Sequence, residues 1–181
     1  MAARWLRGVG NILTHKEYLH KTMLRLSKNP KVLFLGYNTK YGHKFNGTLI
    51  GCEKSCIEMP VAENLILGVA MGLALEGYKP VVCIERMDFL WACADALINH
   101  LDKAKELGWP RLNIIIRTCV GGDKPLDPGC QHKNDYTDIM KRLLKEILVA
   151  TSWDRALNHK GPVMVIEKRS DYEKDYITCA L

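Results

Sequence analysis

Residues 58–82 read Glu58-Met59-Pro60-Val61-Ala62-Glu63-Asn64-Leu65-Ile66-Leu67-Gly68-Val69-Ala70-Met71-Gly72-Leu73-Ala74-Leu75-Glu76-Gly77-Tyr78-Lys79-Pro80-Val81-Val82. Proline suits the opening of a helix and glycine its end, so Pro60 and Gly77 bracket a predicted helix running to Leu75. Apolar residues surround it almost completely (Leu65, Ile66, Leu67, Val69, Met71, Leu73), which predicts burial on most sides. Gly68, Ala70, Gly72 and Ala74 leave room for very close backbone approach. Short strands are expected on either side, at Cys56–Glu58 and Val81–Ile84. A buried strand, a helix and another buried strand form the repeating unit of a parallel sheet.

The pattern continues outward. Thr14 and Glu17 have the spacing of a capping box, and Leu19, Met23 and Leu26 follow at helical intervals, predicting a first helix to about Lys28. Asn29-Pro30 stops it, and Val32–Leu35 with Gly36 reads as a strand buried on both faces. Tyr37–Cys52 reads as a long loop, and residues 1–13 as a flexible arm. Downstream, Asp88 is placed to cap a helix to about Leu107, and Leu112–Arg117 reads as a strand. A glycine- and proline-containing loop follows at Cys119–Gln131. Tyr136–Ala150 has helical spacing, and Pro162–Glu167 is one more strand. Residues 14–181 are therefore expected to form one doubly wound α/β domain, a mostly parallel sheet with helices on both faces.

Composition removes several function classes. With 181 residues, 48% of them hydrophobic, the chain is large enough for a substantial core, which argues against disorder. Its 26 basic against 20 acidic residues leave +6, scattered along the chain, so no nucleic-acid surface is expected. Apolar runs fall far short of the ~20 residues of a membrane helix. Seven cysteines, three of them (Cys83, Cys93, Cys119) in apolar or amphipathic segments, suit a reducing compartment, and the cytoplasm is the default location. Cys52 and Cys56 have no matching second pair, which leaves a zinc site half its ligands.

Two places could carry chemistry. Glu63 is the one carboxylate of the apolar helix and stands in its first turn, where the helix dipole favours an anion; it also suits a plain first-turn acid. His132 ends the loop after the Leu112–Arg117 strand, and ligands of open parallel sheets bind beyond the carboxyl ends of strands. A solvated loop histidine is the simpler alternative. Gly121-Gly122-Asp123-Lys124 lacks the spacing and the terminal Lys-Ser/Thr pair of a P-loop, and Gly36-Tyr37-Asn38 is no dinucleotide fingerprint.

The stretch Glu58–Asn64 with Gly68–Val82 resembles the pyrimidine-binding domain of thiamine diphosphate enzymes, as in transketolases and the beta chains of 2-oxo acid dehydrogenases. The resemblance continues through Asp88-Phe89 and Asp95–His100, reappears at Arg117 and Gln131-His132, and spans about Thr14 to Glu167. It implies that Glu63 is the glutamate that hydrogen-bonds the cofactor's pyrimidine ring nitrogen and promotes the imino tautomer that takes the thiazolium proton. It implies that Phe89 packs on the pyrimidine ring and that His132 handles protons on substrate or intermediate. Arg86 adds a charge near that pocket, where it contacts an anionic substrate or pairs with Glu85 or Asp88.

The family holds the diphosphate through Mg2+ on a separate domain bearing Gly-Asp-Gly, which this sequence does not contain. The resemblance therefore implies one subunit of a split thiamine diphosphate enzyme, with a diphosphate-binding partner chain, self-association within a two-by-two heterotetramer, and a small carbonyl or 2-oxo acid substrate. Dehydrogenase beta chains carry a further C-terminal domain, whereas this sequence stops soon after its last predicted strand, so docking to a lipoyl acyltransferase core is not expected. The reaction class is cleavage or formation of a C–C bond next to a carbonyl. The alternative is a non-catalytic regulatory or scaffold subunit that retains the fold.

Overall fold

The computed structural model describes residues 12–122 and 127–177. Thr14 ends a short strand, β1 (Ile12–Thr14), and caps α1 (His15–Ser27): its hydroxyl accepts from Glu17 N–H at 3.2 Å while Glu17 accepts from Thr14 N–H at 2.8 Å. Then come β2 (Val32–Gly36), β3 (Cys56–Glu58), α2 (Glu63–Leu75), β4 (Lys79–Ile84) and β5 (Ile115–Val120). They are followed by α3 (Thr137–Leu143), β6 (Leu148–Ala150), α4 (Trp153–Asn158), β7 (Val163–Lys168) and β8 (Asp175–Ile177). Of the expected arm, residues 1–11 lie outside the described residues, and Ile12 and Leu13 pair antiparallel with Ile177 and Tyr176.

Six strands form one sheet in the order β3-β2-β4-β5-β7-β6, every neighbouring pair parallel. The alternating side chains of β4 divide the core. Val82 and Ile84 face α2 with Ile66, Leu67 and Ala70, whereas Val81 and Cys83 face α1 with Leu19 and Met23. Helices thus cover both faces, as expected for a doubly wound domain. Each fully buried aliphatic side chain of this kind contributes roughly 1.5–3 kcal/mol. At the end of β2, a Cβ on Gly36 would stand 2.4 Å from the Cys83 carbonyl oxygen, so only glycine lets β2 lie this close to β4.

The helix expected to open at Pro60 begins at Glu63, with Pro60–Ala62 outside it, and four further details differ from the sequence expectations. First, α2 is buried on one side only: Ile66, Leu67, Ala70 and Met71 face inward, while Leu65 and Leu75 are about half exposed and Gly68 and Gly72 meet no neighbour within 4 Å. Uniform apolarity did not distinguish an inner from an outer face. Second, the segment after Asp88 is no regular α-helix but a 3₁₀ helix (Met87–Cys93) followed by a π-helical turn (Asp95–Leu101). Third, β5 begins three residues later than expected. Fourth, Tyr136–Ala150 is not one helix. The buried Asp102 carboxylate accepts from the backbone N–H groups of Lys145, Glu146 and Ile147 at 3.0–3.1 Å. Those N–H groups are thereby satisfied outside any helix, and the chain turns into edge strand β6.

On the α1 face lies a buried ion pair. Arg117 of β5 donates from Nε and Nη2 to Glu167 of β7 at 2.6 and 3.0 Å, Trp153 Nε1 donates to the same carboxylate at 2.8 Å, and Tyr172 donates to Glu167 Oε2. The Phe45 ring stacks under the guanidinium at 4.3 Å. Burial pushes the Glu167 carboxyl up, but the Arg117 charge and the hydrogen bonds from Arg117, Tyr172 and Trp153 outweigh it and hold its pKa below the ordinary glutamate value. Breaking such a pair on one side leaves the other charge buried and alone. Glu167→Ala is therefore expected to lower unfolding free energy by about 3–5 kcal/mol, and Arg117→Met with Glu167→Leu to recover most of that loss, as read by denaturant unfolding of the full chain.

Candidate active site

From β2 the chain crosses outward to β3 and returns to β4 on the other side of β2, so the direction of the sheet reverses between β2 and β4. The carboxyl ends of strands at such a switch point open a crevice, the usual ligand site of open α/β sheets. A cleft of about 180 Å³ lies there. Val61, Ile66 and Ile84 form its apolar walls, Glu63 and Glu85 bring two carboxylates, and Phe89 brings a ring. Glu63 stands there because α2 begins immediately after β3 and Ala62, and its carboxylate has no hydrogen-bond partner among the described residues.

Phe89 links the cleft to His132. Their rings meet edge to face with centroids 5.1 Å apart, and His132 Nδ1 is buried without a hydrogen-bond partner. The loop bearing His132 is pinned to the turn bearing Phe89. Asn134 Nδ2 donates to Asp88 at 2.6 Å, Tyr136 N–H donates to Met87 Sδ at 3.3 Å, and Trp91 stacks edgewise on Tyr136. Of the four sequence candidates, Glu63 and Phe89 line the cleft and His132 packs on the Phe89 ring without lining it. Arg86 is engaged elsewhere: its Nη1 donates to the Gly121 carbonyl at 2.7 Å, tying the end of β4 to the end of β5, and it does not line the cleft.

The sequence reading missed Glu85, His43, Asn38 and Glu58. Glu85 Oε1 accepts from His43 Nε2 at 2.8 Å and from Asn38 Nδ2 at 3.0 Å. His43 Nδ1 accepts from Asn46 N–H at 3.0 Å, which places the ring proton on Nε2, toward Glu85. Burial pushes Glu85 up, but hydrogen bonds from His43 and Asn38 outweigh it and its pKa falls below the ordinary value. The hydrogen bond to Glu85 in turn raises His43. The signal for Glu85 was positional, a carboxylate directly after the buried run Val81–Ile84.

Glu58, at the end of β3, organises this arrangement. Its carboxylate accepts from the backbone N–H groups of Asn38 (2.7 Å), Thr39 (3.1 Å), Lys40 (2.8 Å) and Tyr41 (3.2 Å), which folds the chain back over the end of β2. Asn38 adopts φ +55°, a conformation asparagine tolerates, and its side chain crosses Gly42 so closely that a Cβ there would stand 2.1 Å from Asn38 Oδ1. Tyr37–Cys52 is the long loop expected, without helix or strand, and it is packed, burying Thr39, Phe45, Thr48 and Leu49.

Cys52 and Cys56 serve packing. The Cys56 thiol donates to the Cys52 carbonyl at 3.2 Å, and burial pushes it up to about 12, away from the thiolate a metal needs. Among the described residues no group of three or more His, Cys, Asp or Glu is arranged to hold a metal ion. Nor is any helix among them long and apolar enough to cross a membrane.

Residues 8–125 match the model of the transketolase pyrimidine-binding domain. The chain belongs to that family. Over 171 residues it is 23% identical to the beta subunit of acetoin:2,6-dichlorophenolindophenol oxidoreductase from Cupriavidus necator, covering 81% of this chain and 50% of that one. It is 26% identical over 126 residues to the beta subunit of 3-methyl-2-oxobutanoate dehydrogenase from Mycobacterium tuberculosis, covering 65% and 36%. Among solved structures, a split-gene transketolase described as an inactive beta4 tetramer superposes with TM-score 0.65 at 21% identity, covering 87% of this chain and 52% of that one. Transketolase from Campylobacter jejuni superposes with TM-score 0.68 at 15% identity, covering 92% and 27%. This chain of the transketolase pyrimidine-domain family thus spans about half or less of each relative's length. The family match ends at residue 125, before His132.

The Glu58 cradle makes a testable pH dependence. Burial works against the charge, but four N–H donors hold the carboxyl below its ordinary 4.5. Because the folded value is the lower one, the stabilisation is complete above pH 4.5 and is lost as pH falls through the folded value. Glu58→Gln is expected to raise the exchange rates of the Asn38–Tyr41 amides at neutral pH by about tenfold, a loss of one charge-assisted hydrogen bond's worth of protection, with the β5 amides unchanged.

Proposed function

We propose that this chain supplies the pyrimidine half of a thiamine diphosphate active site, whose diphosphate and Mg2+ half is carried by a partner chain. The complex makes or breaks a C–C bond next to a carbonyl. The observation that carries this reading is the placement of Glu63 and Phe89 on one apolar cleft at the switch point of a transketolase-type sheet. The residues suit the ring: apolar walls and a phenyl face fit a flat heterocycle, and Glu63 offers an acceptor at its edge. Among the described residues no cationic side chain lines the cleft, so the diphosphate is better housed elsewhere. The half-exposed outer face of α2, with Leu65, Leu75 and the bare Gly68 and Gly72, supports burial against another chain.

When bound, thiamine diphosphate supplies the carbon nucleophile and the electron sink. Glu63 shares a proton with the pyrimidine ring nitrogen. Phe89 covers the ring face and excludes water from it. His132, held against Phe89, holds or moves a proton on the substrate side through a ring nitrogen. A heterotetramer with two partner chains is the expected assembly. The names of the relatives divide between a hydroxyketone, acetoin, and a 2-oxo acid, so family membership alone does not select the substrate.

In the complex copurified with this chain, Glu63→Gln is expected to preserve assembly and lower thiamine diphosphate-dependent turnover by about 10²-fold or more. Turnover that survives this change would make the chain a scaffold. Phe89→Ala is expected to weaken cofactor affinity about tenfold, read by titration of the complex.

A further inference from the structure

At the other end of the sheet from the cleft lies a cavity of about 230 Å³. Its walls come from the segments that lead into β5 and β7, residues 109–112 and 159–162, and from the end of the π-helical turn. These strands are parallel, so this is their amino end, and the cavity shares no lining residue with the cleft of Glu63. The floor is apolar: Leu101, Ala104 and Leu112 belong to the core on the α2 face. Trp109 packs against the same core, and its backbone N–H donates to the Ala104 carbonyl at 2.9 Å. The rim is cationic. Lys105 pairs with Glu146, the one acid of the lining, at 3.7 Å, while Arg111 and Lys160 are exposed and have no ion pair among the described residues. Arg111 and His159 converge over Gly161, where a Cβ would stand 3.4 Å from His159 Nε2 and 3.7 Å from Arg111 Cδ; a φ of +132° keeps that position glycine. A more open hollow alongside shares Glu146 and His159 and adds Lys141, Lys145 and Arg155 but no further acid, so the approach is positive as well.

We infer that this cavity binds a small amphipathic anion, one apolar ring or short chain that carries a carboxylate or phosphate. An apolar hollow with a few polar groups at its mouth is the make-up of small-molecule sites. Its volume falls below the roughly 300–1,000 Å³ of pockets for drug-sized ligands, which limits the body to about one ring. That body leaves water for Leu101, Leu112 and Trp109. The head meets Arg111, whose planar fork matches carboxylate and phosphate alike, with Lys160 and His159 beside it. A neutral ring gains only the floor, and a bare inorganic anion only the rim. Tight binding therefore needs both halves in one molecule.

The test is isothermal titration of the copurified complex, or of the full chain if it purifies alone, with thiamine diphosphate and Mg2+ present throughout. Phenyl phosphate and benzoate are the probes, and inorganic phosphate and benzyl alcohol the controls for head and body. At least one probe is expected to bind once per copy of this chain and at least tenfold more tightly than either control. Arg111→Gln and Lys160→Gln, both at exposed positions, are each expected to weaken that probe about tenfold and to leave benzyl alcohol unchanged. Neither probe binding, or affinity unchanged in both variants, overturns the assignment. Inorganic phosphate bound as tightly as the probes would mean an adventitious ion only, and overturns it too. So does binding that the free chain shows and the complex does not, because the face then belongs to the partner chain.

Discussion

The close approach of β2 to β4, where Gly36 faces the Cys83 carbonyl, is the constraint on which the site depends. Side by side and parallel to their ends, the two strands send their chains out of the sheet at the same level. After β2 the chain turns back to meet Glu58, and after β4 it enters the turn that carries Phe89. Because β3 flanks β2 on the far side, α2 returns across the gap with Glu63 in its first turn. Three connections from three strand ends therefore meet over one crevice. A larger residue at position 36 would push the strands apart and widen that crevice.

Around the sheet, rigidity comes from acidic side chains that accept backbone N–H groups. Glu58 folds residues 38–41, Asp102 diverts residues 145–147 into β6, and both do so with charge-assisted hydrogen bonds. Glu167 serves the opposite face in another way, holding Arg117, Trp153 and Tyr172 together beneath Phe45. The chain from Tyr37 to Cys52 is thus fixed at its start by Glu58 and in its middle by Phe45 on Arg117. His43 lies between those two anchors, which is why its ring can be aimed at Glu85.

Much of this was legible in the sequence, and the failures have identifiable causes. The helix of Glu63, the strands around it and the grouping of Glu63, Phe89 and His132 followed from short apolar strands, helix punctuation and the family resemblance. The Asp102 turn did not, because Leu144, Ile147 and Ala150 keep a helical period even though the backbone between them is captured by a carboxylate 43 residues upstream. The half-exposed α2 was hidden for a different reason: a helix apolar on all sides carries no mark of which side faces its own sheet. Glu85, His43 and Asn38 are separated by up to 47 residues and are joined only by the β2–β4 pairing, so no local pattern announces them. Arg86 shows the converse, a charge close in sequence to the site but engaged by a neighbouring strand end.

The central claim is that this chain holds one half of an active site completed by another chain. Native mass spectrometry of the complex copurified from its own source reads partner mass and bound cofactor together. The account predicts a second chain containing Gly-Asp-Gly and one thiamine diphosphate for each copy of this one. A cofactor-free chain, alone or bound only to itself, would contradict it.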